Sequence, residues 1–151
     1  MQARMKNPAA LLPGSMDAIQ ALMASIYKAG TPAKTLHLTH LRVSQINGCS
    51  FCVDGGVKHA KSAGETDDRL FGATAWRESP YFSEAERAAL ALAEAMTRLA
   101  DSNDPVPDQV WEAAARHHDE RALAGLIMSI AVTNLFNRLN VATRQVAGAG
   151  W

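Results

Sequence analysis

Apolar residues recur at helical spacing along almost the whole chain, and this pattern limits the fold more than any other feature. Near the C-terminus, for example, Leu123, Leu126 and Ile130 follow one another at intervals of three and four residues, as on one face of an α-helix. No stretch shows the strict alternation of apolar and polar residues that is typical of a half-buried strand. The sequence therefore predicts an all-α domain of about six to seven helices.

Capping signals divide this helical pattern into segments. Ser15 is a good first residue for a helix that ends at Gly30, Thr31-Pro32 is a cap followed by a first-turn proline, and Ser83 and Glu86 have capping-box spacing. The predicted helices cover about 15–30, 31–47, 49–64, 66–79, 83–99, 108–117 and 120–144. We expect residues 1–14 to be an N-terminal extension, 15–146 to be one domain, and 147–151 to be a flexible tail.

The charge balance argues against polyanionic partners. Fifteen Lys and Arg residues balance fifteen Asp and Glu residues, so the summed field attracts neither nucleic acid nor an anionic membrane. Pro8 and Pro13 interrupt the N-terminal stretch before a signal-peptide core develops, and the apolar run 122–132 is far short of the roughly 20 residues that span a bilayer. We expect a cytoplasmic protein without a nucleic-acid partner and without a transmembrane helix.

The two cysteines, Cys49 and Cys52, form a C-x-x-C motif at the start of a predicted helix. Residues three apart in a helix share a face with α-carbons roughly 5 Å apart, a separation that a disulfide can span. The helix N-terminus also favours a thiolate, the reactive form of the side chain. The alternatives are a buried structural pair or half of a zinc site, for which His37, His40 and His59 would have to converge. The motif favours redox chemistry, with no metal and no cofactor.

Several segments closely resemble the AhpD-like branch of the carboxymuconolactone decarboxylase family. They are Leu41-Arg42-Val43-Ser44-Gln45-Ile46-Asn47-Gly48-Cys49-Ser50-Phe51-Cys52, Ala63-Gly64-Glu65, Ala75-Trp76-Arg77-Glu78 and Asn137-Arg138-Leu139-Asn140-Val141. The resemblance extends over about residues 15–146. It implies an all-helical fold, a homo-oligomer (trimer or hexamer) with the cysteine helix near a subunit interface, and reduction of a peroxide by the cysteine pair. A protein or dithiol electron donor would reopen the disulfide, and decarboxylase members typically lack the pair.

The resemblance also implies a role for each cysteine. In such peroxidases the second cysteine attacks the peroxide and the first resolves the sulfenic acid, and these positions are Cys52 and Cys49 here. Helix-terminus physics alone would favour Cys49 as the nucleophile, because it is closer to the N-terminal end of the helix. We follow the resemblance, since a base beside Cys52 can reverse that order.

The sequence departs from the family's proton relay at two positions. The relay adds a Glu twelve residues before the first cysteine and a His four residues after the second, and here these positions hold His37 and Gly56. His59, on the same face as Cys52, lies roughly 10 Å further along the helix axis. We expect His37 and His59 to form a rearranged relay around Cys52; the alternative is that general-base assistance is lost.

Other polar residues in the matching segments have structural interpretations. Asn134, Asn137 and Asn140 are predicted to make oligomer contacts or hydrogen bonds to neighbouring helices, and Trp76-Arg77 to provide packing and a surface ion pair. Three functions remain open at this point. They are a peroxidase or disulfide reductase, a decarboxylase or lactonase that uses a His base, and a non-catalytic redox-sensing helical oligomer.

Overall fold

The computed structural model describes residues 2–149, which form helices joined by short loops and contain no strand. The α-helices are α1 (Pro8–Leu11), α2 (Ser15–Tyr27), α3 (Ala33–Ile46), α4 (Ser50–Ser62), α5 (Asp67–Gly72), α6 (Glu84–Thr97), α7 (Asp108–His117) and α8 (Glu120–Thr143). The predicted all-α class is confirmed. There are eight α-helices among these residues instead of six to seven, because Asn7 and Pro8 begin a short helix inside the segment predicted as an extension.

Most predicted helix starts agree with the structure. The Ser83–Glu86 capping box is complete, and the side chain of Thr66 caps α5. Thr31 was expected to cap α3, but its hydroxyl donates a hydrogen bond to the carbonyl of Ala122, and Pro32 takes the cap position. The predicted fourth helix ends early, at Gly72, and a short 3-10 turn follows. The guanidinium of Arg87 donates hydrogen bonds to the carbonyls of Trp76, Arg77 and Ser79 in the segment that follows.

Two apolar clusters form the core, and α3 lies between them. Leu36 and Val43 of α3 pack with residues of α2, α6, α7 and α8, whereas Leu38 and Leu41 pack with α4, α5 and the segment that precedes α6. A helix that is apolar on two faces has to be covered on both sides. This central position of α3 fixes the orientation of α4, which carries the cysteines.

The longest helix, α8, is the second central element. This 24-residue helix contains an 18-residue stretch with a mean hydropathy of 1.4, so by length and composition alone it could cross a membrane. It contacts α2, α3, α4, α6 and α7 and has twelve buried residues, including three asparagines bonded to side chains outside the helix. These contacts favour the role of a core helix in a bundle.

Both ends of the described chain contact the C-terminal part of the bundle. The backbone N–H of Arg4 donates to the carbonyl of Thr143 in the last turn of α8, at 2.9 Å. In the region predicted to be a flexible tail, the N–H of Gly148 donates to the carboxylate of Asp54 on α4. The last two residues of that predicted tail lie outside the described residues.

Candidate functional site

The cysteine pair lies at the N-terminus of α4, directly after the tight turn that follows α3. Gly48 has a φ of +66°, a left-handed conformation that favours glycine, and it turns the chain so that Cys49 becomes the N-cap of α4. The Sγ atom of Cys49 accepts a hydrogen bond from the backbone N–H of Cys52. The two residues form a disulfide with a Cα–Cα distance of 5.3 Å. One helical turn thus holds both sulfurs together, as the motif predicted.

Cys52, but not Cys49, lines a cavity of about 470 Å³ between α2, α3, α4 and α8. Cys49 is 1% exposed and Cys52 is 5% exposed. The cavity wall is mostly apolar and includes Met16, Ile19, Met23, Leu36, Phe51, Val132 and Phe136. Its polar and titratable side chains are Gln20, Tyr27, His37, His40, Cys52, His59, Ser129, Thr133 and Asn140. The cavity can hold an organic molecule of moderate size next to one of the two sulfurs.

His40 of α3 is the histidine in hydrogen-bonding distance of the cysteine segment. Its Nε2 lies 3.3 Å from the carbonyl oxygen of Cys52, and its Nδ1 lies 3.3 Å from the hydroxyl of Thr133 on α8. Burial lowers the pKa of His40 against the opposing effect of the Cys52 carbonyl, so the ring is neutral near pH 7. Because Nε2 faces a carbonyl, it carries the proton, and Nδ1 is the unprotonated nitrogen of the neutral ring.

The ring of His40 occupies space that the glycine at position 56 leaves open. A Cβ atom built on Gly56 would lie 2.7 Å from Cδ2 and 3.0 Å from Nε2 of His40. Gly56 is the position at which the resemblance places a relay histidine. An imidazole is therefore present in this part of the site, but it comes from α3 instead of α4. Sequence reasoning named His40 only as a possible zinc ligand and not as part of the relay, although its spacing of three from His37 puts both on one helix face.

The two histidines predicted as a relay, His37 and His59, line the same cavity as Cys52. The ring of His37 lies 6.3 Å from that of Tyr27, between ring centroids. Burial lowers the pKa of His37, and the nearby His59 lowers it further, against an opposing effect of Glu65. Burial raises the pKa of Tyr27. The structure thus gathers the predicted residues at one cavity, and their catalytic roles stay predictions.

Asn140 is a site residue that sequence reasoning missed. Its side-chain Nδ2 donates a hydrogen bond to Sγ of Cys52 at 3.3 Å, from a position that is 2% exposed. The neighbouring Asn137, in contrast, donates to Ser44 and accepts from Asn47. Hydrogen bonds to other helices were predicted for these asparagines, but the sulfur as a partner was not. The matching segment Asn137–Val141 contains Asn140 and was the available signal.

The matching segment around Trp76 has a structural environment away from the cavity. The carboxylate of Glu94, which is buried in α6, accepts hydrogen bonds from Arg42 at 2.7 Å and from Nε1 of Trp76 at 3.0 Å, and it forms an ion pair with Arg77. Burial raises the pKa of Glu94, but the bonds from Arg77, Trp76 and Arg42 outweigh this effect and the net pKa is lowered. The ion pair of Arg77 therefore joins an exposed guanidinium to a buried carboxylate, whereas the sequence predicted an ion pair between two surface residues.

The geometry of a metal site is absent from residues 2–149. No three His, Cys, Asp or Glu side chains among them lie close enough to hold a metal ion. His37, His40 and His59 share the cavity without converging on the cysteines as zinc ligands.

Comparison with known proteins agrees with the observed architecture. The family model for the carboxymuconolactone decarboxylase family matches residues 13–95. YdfG, an uncharacterized protein of Bacillus subtilis (strain 168), is 37% identical over 108 residues, which cover 72% of each chain. YnjA, an uncharacterized protein of Escherichia coli (strain K12), is 38% identical over 106 residues, which cover 70% of this chain and 56% of that protein.

Solved structures extend the agreement to nearly the full length. A crystal structure of a protein of unknown function from Agrobacterium tumefaciens, proposed to be the antioxidant defence protein AhpD, has a TM-score of 0.88 and 32% identity. The match covers 99% of this chain and 100% of that chain. The debrominase Bmp8 has a TM-score of 0.80 and 24% identity over 91% of this chain and 73% of its own, and this similarity concerns the fold alone.

Proposed function

Because the chain belongs to the carboxymuconolactone decarboxylase family, we propose that it is a thiol-dependent peroxidase of the AhpD-like branch. The observation that carries this proposal is the position of Cys52, which belongs to a C-x-x-C pair and lies in the wall of a mostly apolar cavity. A peroxide in the cavity would meet Cys52, whereas Cys49 is buried behind it. This arrangement supports Cys52 as the attacking thiol and Cys49 as the resolving thiol.

The proposed reaction consumes one peroxide and one dithiol per cycle. The Cys52 thiolate attacks one peroxide oxygen, the O–O bond breaks, and the departing alkoxide takes up a proton to become an alcohol. Cys52 is now a sulfenic acid, which the Cys49 thiol attacks to form the disulfide and release water. An external protein or small dithiol then reduces this disulfide and is itself oxidised to a disulfide.

The histidines and the assembly complete the proposal. His40 supplies the imidazole beside Cys52, in the space left by Gly56, and His37 and His59 stay candidates for the proton relay. The homo-oligomer expected from the resemblance is supported by large apolar side chains exposed on α8, such as Met128 (41%) and Leu135 (46%). The molar mass from light scattering in solution distinguishes a trimer or hexamer from a monomer. A cytoplasmic location stays a prediction.

Peroxide consumption with dithiothreitol as the reductant tests the peroxidase. We expect the wild type to turn over, Cys52→Ser to consume no peroxide above background, and Cys49→Ser to form no intramolecular disulfide and to depend on dithiothreitol to resolve the Cys52 sulfenic acid. Ser50→Ala changes an exposed side chain within the same motif and is the matched control, expected to retain turnover. Peroxide consumption by Cys52→Ser at the wild-type rate would reject the proposal.

A second candidate is a non-redox reaction of the decarboxylase or lactonase type, and the shared cavity of His37, His40 and His59 favours it. A neutral imidazole can act as a general base near pH 7. In this case the activity would survive in Cys49→Ser and Cys52→Ser and would be lost on replacement of the catalytic histidine. The same cysteine variants therefore distinguish the two candidates.

A further inference from the structure

We propose that Asn140 stabilises the Cys52 thiolate by a side-chain hydrogen bond and that Asn7, in the N-terminal segment, positions the Asn140 amide for this purpose. The inference rests on the proposed function, in which Cys52 is the attacking thiol. Asn140 is the residue in contact with the reacting atom, and Asn7 acts through it. The N-terminal segment would then be part of the site, although it precedes the predicted domain.

The contact between Asn140 and Cys52 is buried on both sides. In the disulfide form of the structure, Nδ2 of Asn140 lies 3.3 Å from Sγ of Cys52, and the two residues are 2% and 5% exposed. A thiol sulfur is a weak acceptor, but a thiolate is a charged acceptor, and hydrogen bonds to charged groups are stronger than those between neutral groups. The amide therefore favours the deprotonated sulfur over the protonated one, which lowers the pKa of the thiol.

Asn7 fixes the orientation of the Asn140 amide. Nδ2 of Asn7 donates to Oδ1 of Asn140 at 2.7 Å, so the oxygen of that amide faces Asn7 and the nitrogen faces the sulfur. The other end of Asn7 is also fixed, since its Oδ1 accepts the N–H of Ala9 as the N-cap of α1. Asn7 is 6% exposed. The hydrogen bonds thus run in one direction, from the α1 cap to the sulfur.

The N-terminal segment is fixed to α8 by contacts that do not involve Asn7. The guanidinium of Arg4 donates to the carbonyl of Ala142, and the side chain of Gln145 donates to the carbonyl of Met5. These bonds hold the segment against the C-terminal end of α8, where Asn140 lies. They also provide a matched control, because Arg4 can be changed without removing either hydrogen bond of the Asn7 side chain.

The titratable groups beside Cys52 come from three helices. Tyr27 of α2, His37 and His40 of α3, and His59 of α4 line the cavity with it. The cavity wall from α8 adds amide, hydroxyl and apolar groups. The segment with Asn7 carries Arg4 and Lys6, neither of which lines the cavity. A variant of Asn7 or Asn140 therefore changes the hydrogen bond to the sulfur without removing a titratable neighbour.

The experiment measures the thiolate pKa of Cys52 directly, in full-length Cys49→Ser protein, from the pH dependence of alkylation by iodoacetamide. Asn7→Ser keeps a side-chain oxygen that can cap α1, but its side chain is too short to donate to Asn140, and it adds no charge. Asn140→Leu has a similar volume and removes the donor to the sulfur, again without adding a charge. We expect the thiolate pKa to rise by about one unit in Asn7→Ser and by about one to two units in Asn140→Leu.

Arg4→Ala in the same background is expected to leave the thiolate pKa unchanged. A thiolate pKa in Asn7→Ser equal to that of the Cys49→Ser reference overturns the positioning role of Asn7, and so does an equal rise in Arg4→Ala. Asn7→Ser decides this even if Asn140→Leu does not fold, because it retains a side chain that can cap the helix. Alkylation requires no peroxide chemistry, so a shift in pKa without peroxide turnover supports the hydrogen bonds while rejecting the peroxidase.

Discussion

Replacing Gly56 by alanine is expected to destabilise the protein, whereas the same change at the adjacent Gly55 is expected to stabilise it. Both glycines lie inside α4, where alanine is favoured over glycine by about 1 kcal/mol. A Cβ atom at position 55 meets nothing within 4 Å, but at position 56 it meets the ring of His40 at 2.7 Å. The two variants gain the same helix propensity and differ in this contact.

The structure sets the magnitude of the difference. An ordinary carbon–carbon contact is about 3.5–4.0 Å, so the ring of His40 has to move by roughly 1 Å. Inserting a methyl group into a packed site costs about 1–3 kcal/mol. The free energy of unfolding should therefore fall by about 0–2 kcal/mol in Gly56→Ala and rise by up to about 1 kcal/mol in Gly55→Ala. The difference between the two variants, about 1–3 kcal/mol, is the cost of displacing the ring.

Urea unfolding of the wild type, both glycine variants, His40→Ala and the double variant His40→Ala/Gly56→Ala provides the measurement. Once the ring is removed, Gly56→Ala should behave like Gly55→Ala, so the double-mutant cycle should give a coupling energy of about 1–3 kcal/mol. Equal stability of Gly55→Ala and Gly56→Ala, with no coupling to His40, would refute the placement of the His40 ring against Gly56.

Two further predictions concern the buried carboxylate and the cavity. Burial raises the pKa of Glu94, but its hydrogen bonds lower it, and the net pKa is below the ordinary 4.5. The Glu94 carboxylate therefore stabilises the fold above about pH 4.5, and this contribution is lost as the pH falls further. The stability difference between the wild type and Glu94→Gln in urea should accordingly be largest above pH 4.5 and shrink in more acidic buffer; a pH-independent difference contradicts this. Ile19→Trp narrows the cavity and should raise the KM for cumene hydroperoxide about tenfold but not that for hydrogen peroxide. Ala18→Trp, on the exposed face of α2, is the control. An equal change of the KM for cumene hydroperoxide in both variants argues against substrate binding in the cavity.

Local signals predicted most of the fold. The Ser83–Glu86 capping box lies within four residues, and α7 was predicted over 108–117 and is observed over Asp108–His117, because cap and helix periodicity are short-range properties. The short helix α1 was missed because four residues are too few to show a periodic apolar face. Its start depends on the side chain of Asn7, which is fixed in turn by a residue of α8.

The site was predictable only in part, because its geometry depends on packing between distant segments. The C-x-x-C spacing indicated the disulfide, since both cysteines lie on one helical turn. His40 faces Cys52 only because α3 and α4 pack closely at Gly56, and helical periodicity does not determine which side chain enters such a gap. Asn7 and Asn140 are 133 residues apart in the chain, so no local pattern relates them.

The burial of Cys49 behind Cys52 has a kinetic consequence. With Cys49 1% exposed and Cys52 in the cavity wall, a small molecule that enters the cavity meets the disulfide at Cys52. An oxidant and a reductant that both use this route cannot be bound at the same time. Their half-reactions must alternate, and each of the two compounds, at high concentration, should act as a competitive inhibitor of the other.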